Sequence, residues 1–239
     1  MNFGNNEFTH AVVLNNLACK LLEHGALRES FETFGDALAS YRESMLRDGG
    51  DGTKARIRLD AAAARLGTEN LTKTSIVRVV NLGEDDLVNL QADAQFGKFM
   101  FCAFRLACAS NNNTSPRCLR DTEFDSAIIL YNYGMAHISI LKYGFRERKA
   151  FKDASRLMRF ALGVLNKEMK TKIRRGQAMN NHEFLDLSTI CKIMTTNYSY
   201  IIAKRGRYAE ARQCYDDMEE FLLQHPHHQE LPETIAAAA

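Results

Sequence analysis

"VLNNLACKLLEHGALRESFETFGDALASY", Val13 to Tyr41, lies without a gap on "MTTNYSYIIAKRGRYAEARQCYDDMEEFL", Met194 to Leu222. The match is one of position and residue type: Asn16 falls on Asn197, Leu17 on Tyr198, Ala18 on Ser199, Leu21 on Ile202, Gly25 on Gly206, Ser30 on Ala211 and Phe34 on Tyr215. Repetition of this kind means one supersecondary unit used more than once. Gly25 and Gly206 stand where a first helix must end, because glycine adopts a left-handed backbone angle at least cost. Ala18 with Ser30, and Ser199 with Ala211, are small enough for two helices to approach closely. Phe34 and Tyr215 then fill the space toward the next helix pair.

A third copy begins near Ala127. "AIILYNYGMAHISILKYG" places Leu130, Asn132, Tyr133, Gly134 and His137 at corresponding positions, and "FKDASRLMRFALGVL" adds Ala154, Met158 and Ala161. With Gly134 and Ala154 as the paired small residues, the junction between the helices is longer than in the other copies. The surplus either lengthens both helices or forms a loop around Lys142 to Lys149.

These units resemble the tetratricopeptide repeat, a pair of antiparallel helices with a period of about 34 residues. The resemblance implies an all-α fold: a right-handed superhelical stack of antiparallel helix pairs with degenerate central repeats. It implies a single domain over residues 1–224, with clear repeats at about 11–44, 127–165 and 192–224, and a flexible tail at 225–239. Residues 47–126 are irregular. There "LRDGGDGTK" reads as a glycine-rich loop and "KARIRLDAAAARLG" as a short helix. "EDDLVNLQADAQFGKFMFCAFRLACAS" reads as a degraded helix pair or a helix plus an extended segment, since its apolar run does not distinguish strand from buried helix.

Asparagine is a poor helix-interior residue, by roughly 0.7 kcal/mol or less relative to alanine. Yet each copy has one just before its large and small residues: Asn16, Asn132 and Asn197. In a stack of this kind the first helix of each pair lines a concave surface. An amide carries donors and an acceptor, so it can hold the backbone of an extended peptide whatever its side chains. In kinesin light chains, whose "LNNLA" helices the first copy resembles, asparagines at this position contact bound peptide. The same resemblance puts Asn15, Cys19, Tyr131, Met135, Thr196, Tyr200 and Lys204 on the neighbouring wall. Val12 and Ile193 occupy the positions where the carboxylate-clamp subtype has lysines. The alternative is that the amides lock one repeat to the next, because a buried amide needs partners wherever it sits. A peptide-contacting Asn132 implies that Asn132→Ala weakens partner binding with little change in melting; a locking Asn132 implies the reverse.

Lysine and arginine number 31 against 29 acids, a net charge of +2, which gives no global attraction to nucleic acid or anionic membrane. Locally, residues 142–175 carry a basic excess that includes Lys142, Arg146, Arg148, Lys149, Arg174 and Arg175. This surface is the basis of an alternative function, binding of RNA or an acidic protein. The six cysteines are scattered without a C-x-x-C pair and read as reduced core thiols of a cytoplasmic protein. The N-terminus has neither a secretory nor a transit pattern, and no apolar run reaches the roughly 20 residues needed to span a bilayer. "HEFLD" (His182–Asp186) has aspartate where a zinc helix has its second histidine, and reads as a helix start capped by Asn181. "HPHH" belongs to the tail, and "GGDGTK" (Gly49–Lys54) lacks phosphate-loop spacing and reads as a linker. His137, alone on an apolar helix, reads as a core residue. No catalytic group, metal site or cofactor is expected. The expected function is a non-catalytic interaction scaffold that binds a peptide or helix of another protein in the concave groove.

Overall fold

The computed structural model describes residues 4–45, 52–68, 78–81, 102–106, 122–143, 147–174 and 181–223. Helix accounts for 91% of these residues, so the protein is all-α in class, with one small exception. The α-helices are α1 (Gly4–Glu23), α2 (Leu27–Met45), α3 (Gly52–Thr68), α4 (Thr122–Ser139), α5 (Glu147–Arg174), α6 (Asn181–Lys204) and α7 (Tyr208–Leu223). The exception is a pair of short parallel strands, β1 (Arg78–Asn81) and β2 (Cys102–Arg105), in register from Arg78 opposite Cys102 to Asn81 opposite Arg105. The stretches 109–118, 84–100 and 225–239 lie outside the described residues. The helix α3 covers the expected short helix but starts at Gly52, so Gly52–Lys54 are helical and not linker.

The matched segments are two hairpins with the same turn. After α1, Gly25 has φ 75°, its N–H bonds to the Leu22 carbonyl (3.1 Å), and the Ala26 N–H bonds to the Leu21 carbonyl (3.0 Å). After α6, Gly206 has φ 82°, its N–H bonds to the Ala203 carbonyl (2.8 Å), and the Arg207 N–H bonds to the Ile202 carbonyl (3.1 Å). Both are Schellman turns, which satisfy the last helical carbonyls and reverse the chain. In the first hairpin the close approach at Ala18 and Ser30 is sealed by the serine hydroxyl, which donates to the Ala18 carbonyl at 2.9 Å.

In the α4/α5 hairpin the close approach is at Gly134, where an added Cβ would meet Met158 Cγ at 3.1 Å and the Ala154 carbonyl at 3.4 Å. Its longer junction has a structural cause. α4 continues as a 3-10 turn through Ile140–Tyr143, and α5 starts at Glu147, further ahead of Ala154 than Leu27 is ahead of Ser30.

The hairpins pack in chain order, α2 against α4 and α5 against α6, while α3 lies on α1 and α2. Phe31 on α2 meets Tyr133 and His137 on α4 at ring separations of 5.2 and 4.8 Å. A different set of α2 residues holds α3 by charge: Arg58 bridges both Glu43 oxygens (2.7 and 2.9 Å) and Ser40, and Arg65 reaches Asp36 (2.8 Å) and Thr33 (3.0 Å). Tyr131, Met135, Ile128, Ile129 and Met158 are fully enclosed in the main core.

Candidate functional site

The asparagines converge on β2. Asn132 on α4 pairs with both backbone groups of Phe104: its Oδ1 accepts from the Phe104 N–H at 2.9 Å, and its Nδ2 donates to the Phe104 carbonyl at 2.7 Å. Asn16 on α1 does the same for Leu106, accepting from the N–H at 2.8 Å and donating to the carbonyl at 2.5 Å. Each side-chain amide thus stands in for a peptide group of a neighbouring strand. Alternate residues of a strand turn both backbone groups to the same edge. The groups of Phe104 and Leu106 therefore meet amides, leaving those of Ala103 and Arg105 for the edge that pairs with β1.

Asn15 ties the two clamps together. Its Nδ2 donates to the Phe104 carbonyl and to Asn16 Oδ1, both at 3.2 Å, and its Oδ1 accepts from Asn132 Nδ2 at 2.9 Å. Asn15 and Asn132 are fully buried, so every bond counts: an orphaned buried polar group costs about 1–3 kcal/mol. Cys19 also sits here, its Sγ 3.5 Å from the Phe104 carbonyl, and burial holds its thiol protonated far above the ordinary range.

Asn197, on α6, bonds to α4. Its Nδ2 donates to the Tyr131 hydroxyl at 2.7 Å and approaches Met135 Sδ at 3.7 Å, joining the third hairpin to the second. The Tyr131 hydroxyl lies 3.5 Å from Cys102 Sγ, so a polar chain runs from α6 through α4 to β2. Burial, followed by the nearby Cys102, pushes the Tyr131 phenol well above its usual pKa. The structure thus brings together Asn15, Asn16 and Asn132 around β2 and places Asn197, Tyr131 and Met135 in a core junction beside it. It does not bring in Tyr200 and Lys204. Those two form an exposed pair one turn apart on α6, the Lys204 ammonium 5.4 Å from the Tyr200 ring centre.

Side chains complete the seat of β2. Phe104 is fully enclosed, its ring tilted against Tyr131 at 5.4 Å, and Ala103 and Leu106 are buried. Arg105 points toward solvent and pairs with the Glu23 carboxylate. Sequence reasoning left strand and buried helix both open here because Cys102, Ala103 and Phe104 are all buried. Alternation disappears when both faces of a strand are covered, and the segment then reads like a buried helix.

On α5, Arg148 and Lys149 are exposed, as are Lys152, Arg156, Arg159, Lys167 and Lys170. Among the described residues none of these seven is in an ion pair, in contrast to the bridged arginines of α3. Arg156 lies over the exposed ring of Phe160 at 5.9 Å. The side chains of Lys142 and Arg174, and the whole of Arg146 and Arg175, lie outside the described residues.

A cleft of about 510 Å³ separates α5 from α7, with Leu162, Met169, Cys191 and Met218 among its lining. Burial lifts the Cys191 thiol to about 12, and it lies 3.2 Å from Met169 Sδ. Among the described residues no group of three or more His, Cys, Asp or Glu side chains is placed to hold a metal ion. No described helix is long and apolar enough to cross a membrane. No protein-family model, curated protein or solved structure matches the chain.

Proposed function

We propose that the protein is a non-catalytic interaction scaffold of tetratricopeptide-like, superhelical build, whose first helices hold an extended polypeptide by its backbone. One observation carries this reading: paired amide clamps on Phe104 and Leu106, made by helices belonging to two different hairpins. A groove that holds its own chain in this way has the chemistry to hold another, since the four clamp bonds go to backbone groups. Buried cysteines without disulfides at Cys19, Cys102 and Cys191 support a reducing, cytoplasmic setting.

The test replaces residues 102–106 with a glycine–serine spacer in the full chain and adds a labelled peptide of sequence Met100–Cys108. Saturable binding by fluorescence anisotropy, with a rise in melting temperature, is the expected outcome. A folded spacer variant that neither binds the peptide nor gains stability overturns the reading.

A second reading rests on the unbridged cations of α5, which form a basic stripe suited to RNA or an acidic protein. Charge reversal at Lys152 and Arg159 then abolishes binding to such a partner, and affinity falls steeply with salt.

A further inference from the structure

We propose that the groove selects an extended segment of pattern small–aromatic–basic–aliphatic, and that Ala103–Leu106 is the in-chain occupant that a partner protein's segment of the same pattern displaces. The inference rests on the groove reading above and adds to it a recognition rule and a competitor. The rule follows from what each side chain of the occupant meets. The amides grip only the N–H and C=O of the second and fourth residues, which fixes the segment as extended and sets its register without reading sequence.

Selection comes from the side chains. Ala103 is fully enclosed, which leaves no room for a larger first residue, and Phe104 fills a closed space beside Tyr131. Leu106 is buried at the far end. Between the two apolar anchors, Arg105 emerges toward solvent and meets Glu23, the α1 carboxylate that distinguishes a basic residue from an acidic one. Like charge at this position is repelled.

Exchange of one such segment for another is close to balanced. The same apolar area leaves and returns, and the same four clamp bonds break and re-form. What favours the in-chain copy is tethering. It is joined to α4 through the chain itself, so its binding is intramolecular, which raises its effective concentration above that of a free segment. A free segment with identical contacts therefore competes poorly until the in-chain copy is weakened. Glu23–Arg105 is the place to weaken it, because that pair is partly exposed and lies outside the enclosed core.

The experiment uses the full chain and the labelled Met100–Cys108 peptide under reducing conditions, with anisotropy as readout and circular dichroism to confirm folding. Arg105→Glu places two carboxylates together and loosens only the in-chain copy. It is expected to bind the peptide at least ten-fold more tightly than the unaltered chain. Adding Glu23→Arg restores a pair of reversed polarity, and peptide binding then returns to the unaltered level or below. A peptide with glutamate at the arginine position binds Arg105→Glu at least ten-fold more weakly than the parent peptide.

Equal binding by the unaltered chain and Arg105→Glu overturns the competitor. Equal binding of the arginine and glutamate peptides overturns the recognition rule while leaving the groove reading standing. Failure of a folded Arg105→Glu chain to bind either peptide, together with failure of the spacer variant, overturns both. If Arg105→Glu does not fold, Arg105→Gln takes its place, with a smaller gain in affinity expected and no gain overturning the competitor.

Discussion

Asn132→Ala removes the partner of the Phe104 N–H and the shorter of the amide bonds to its carbonyl, in a fully buried site. One orphaned N–H and a depleted carbonyl together cost about 2–3 kcal/mol of folding free energy, measurable by urea denaturation. Asn197→Ala is milder, about 1 kcal/mol, because the Tyr131 hydroxyl keeps its contact with Cys102. From the sequence the two roles of the repeated asparagines, gripping a peptide and joining repeats, are equally open. In the structure Asn16 and Asn132 bond the backbone of the chain's own segment around β2, Asn132 also bonds Asn15 across the first two hairpins, and Asn197 joins the third hairpin to the second. The chain of origin of the gripped segment is not legible, because Leu106 lies 90 residues away from Asn16 in an apolar run without strand periodicity. At the same scale, burial lowers the pKa of His137, with Asp153 opposing and Lys149 reinforcing the shift. The fold therefore binds fewer protons at this site than the unfolded chain, and the associated stability is present above the ordinary value of 6.5 and lost as pH falls through the folded value. Melting temperature should decline as pH falls below 6.5, and His137→Leu should flatten that part of the curve.

Hairpins are the legible elements, because their signals are local. Glycine at the reversal and small residues at the crossing impose the same geometry wherever they occur, and both aligned copies form the same turn. Two glycines of the second hairpin separate packing from propensity. Gly134 sits at the crossing, so Gly134→Val should destabilise by about 1–3 kcal/mol through overpacking against Met158 and the α5 backbone. Gly163 lies mid-helix on α5, and a Cβ added there would meet nothing within 4 Å. Gly163→Ala should therefore stabilise by about 0.5–1 kcal/mol. Thermal melts of the two variants check both signs. The pairing of the strands is not legible for a different reason. A parallel pair needs a partner distant in sequence, and β1 and β2 are set opposite each other by tertiary contacts with α1 and α4 that no local pattern announces.

For the molecule as a whole, β2 acts as a wedge between the first two hairpins. The N–H groups of Phe104 and Leu106 donate to asparagines on helices of the two hairpins, so both open when the strand leaves its clamps. Hydrogen exchange should show the two amides opening together, at a free energy below that of global unfolding, as the strand leaves its seat within the folded chain; opening only with global unfolding would show that the strand does not detach on its own. The order of the hairpins along the stack follows the chain and is readable from the repeat, whereas the content of the hollow is not.

The same arrangement has a consequence for biosynthesis. Asn15 and Asn132 meet across 117 residues of chain. At about 5–20 residues per second of translation, roughly 6–23 s pass between the synthesis of the two. The first hairpin consequently leaves the ribosome with its polar pocket unfilled, and the nascent chain stays incomplete and open to chaperones until the segment around Phe104 and the helix after it have emerged.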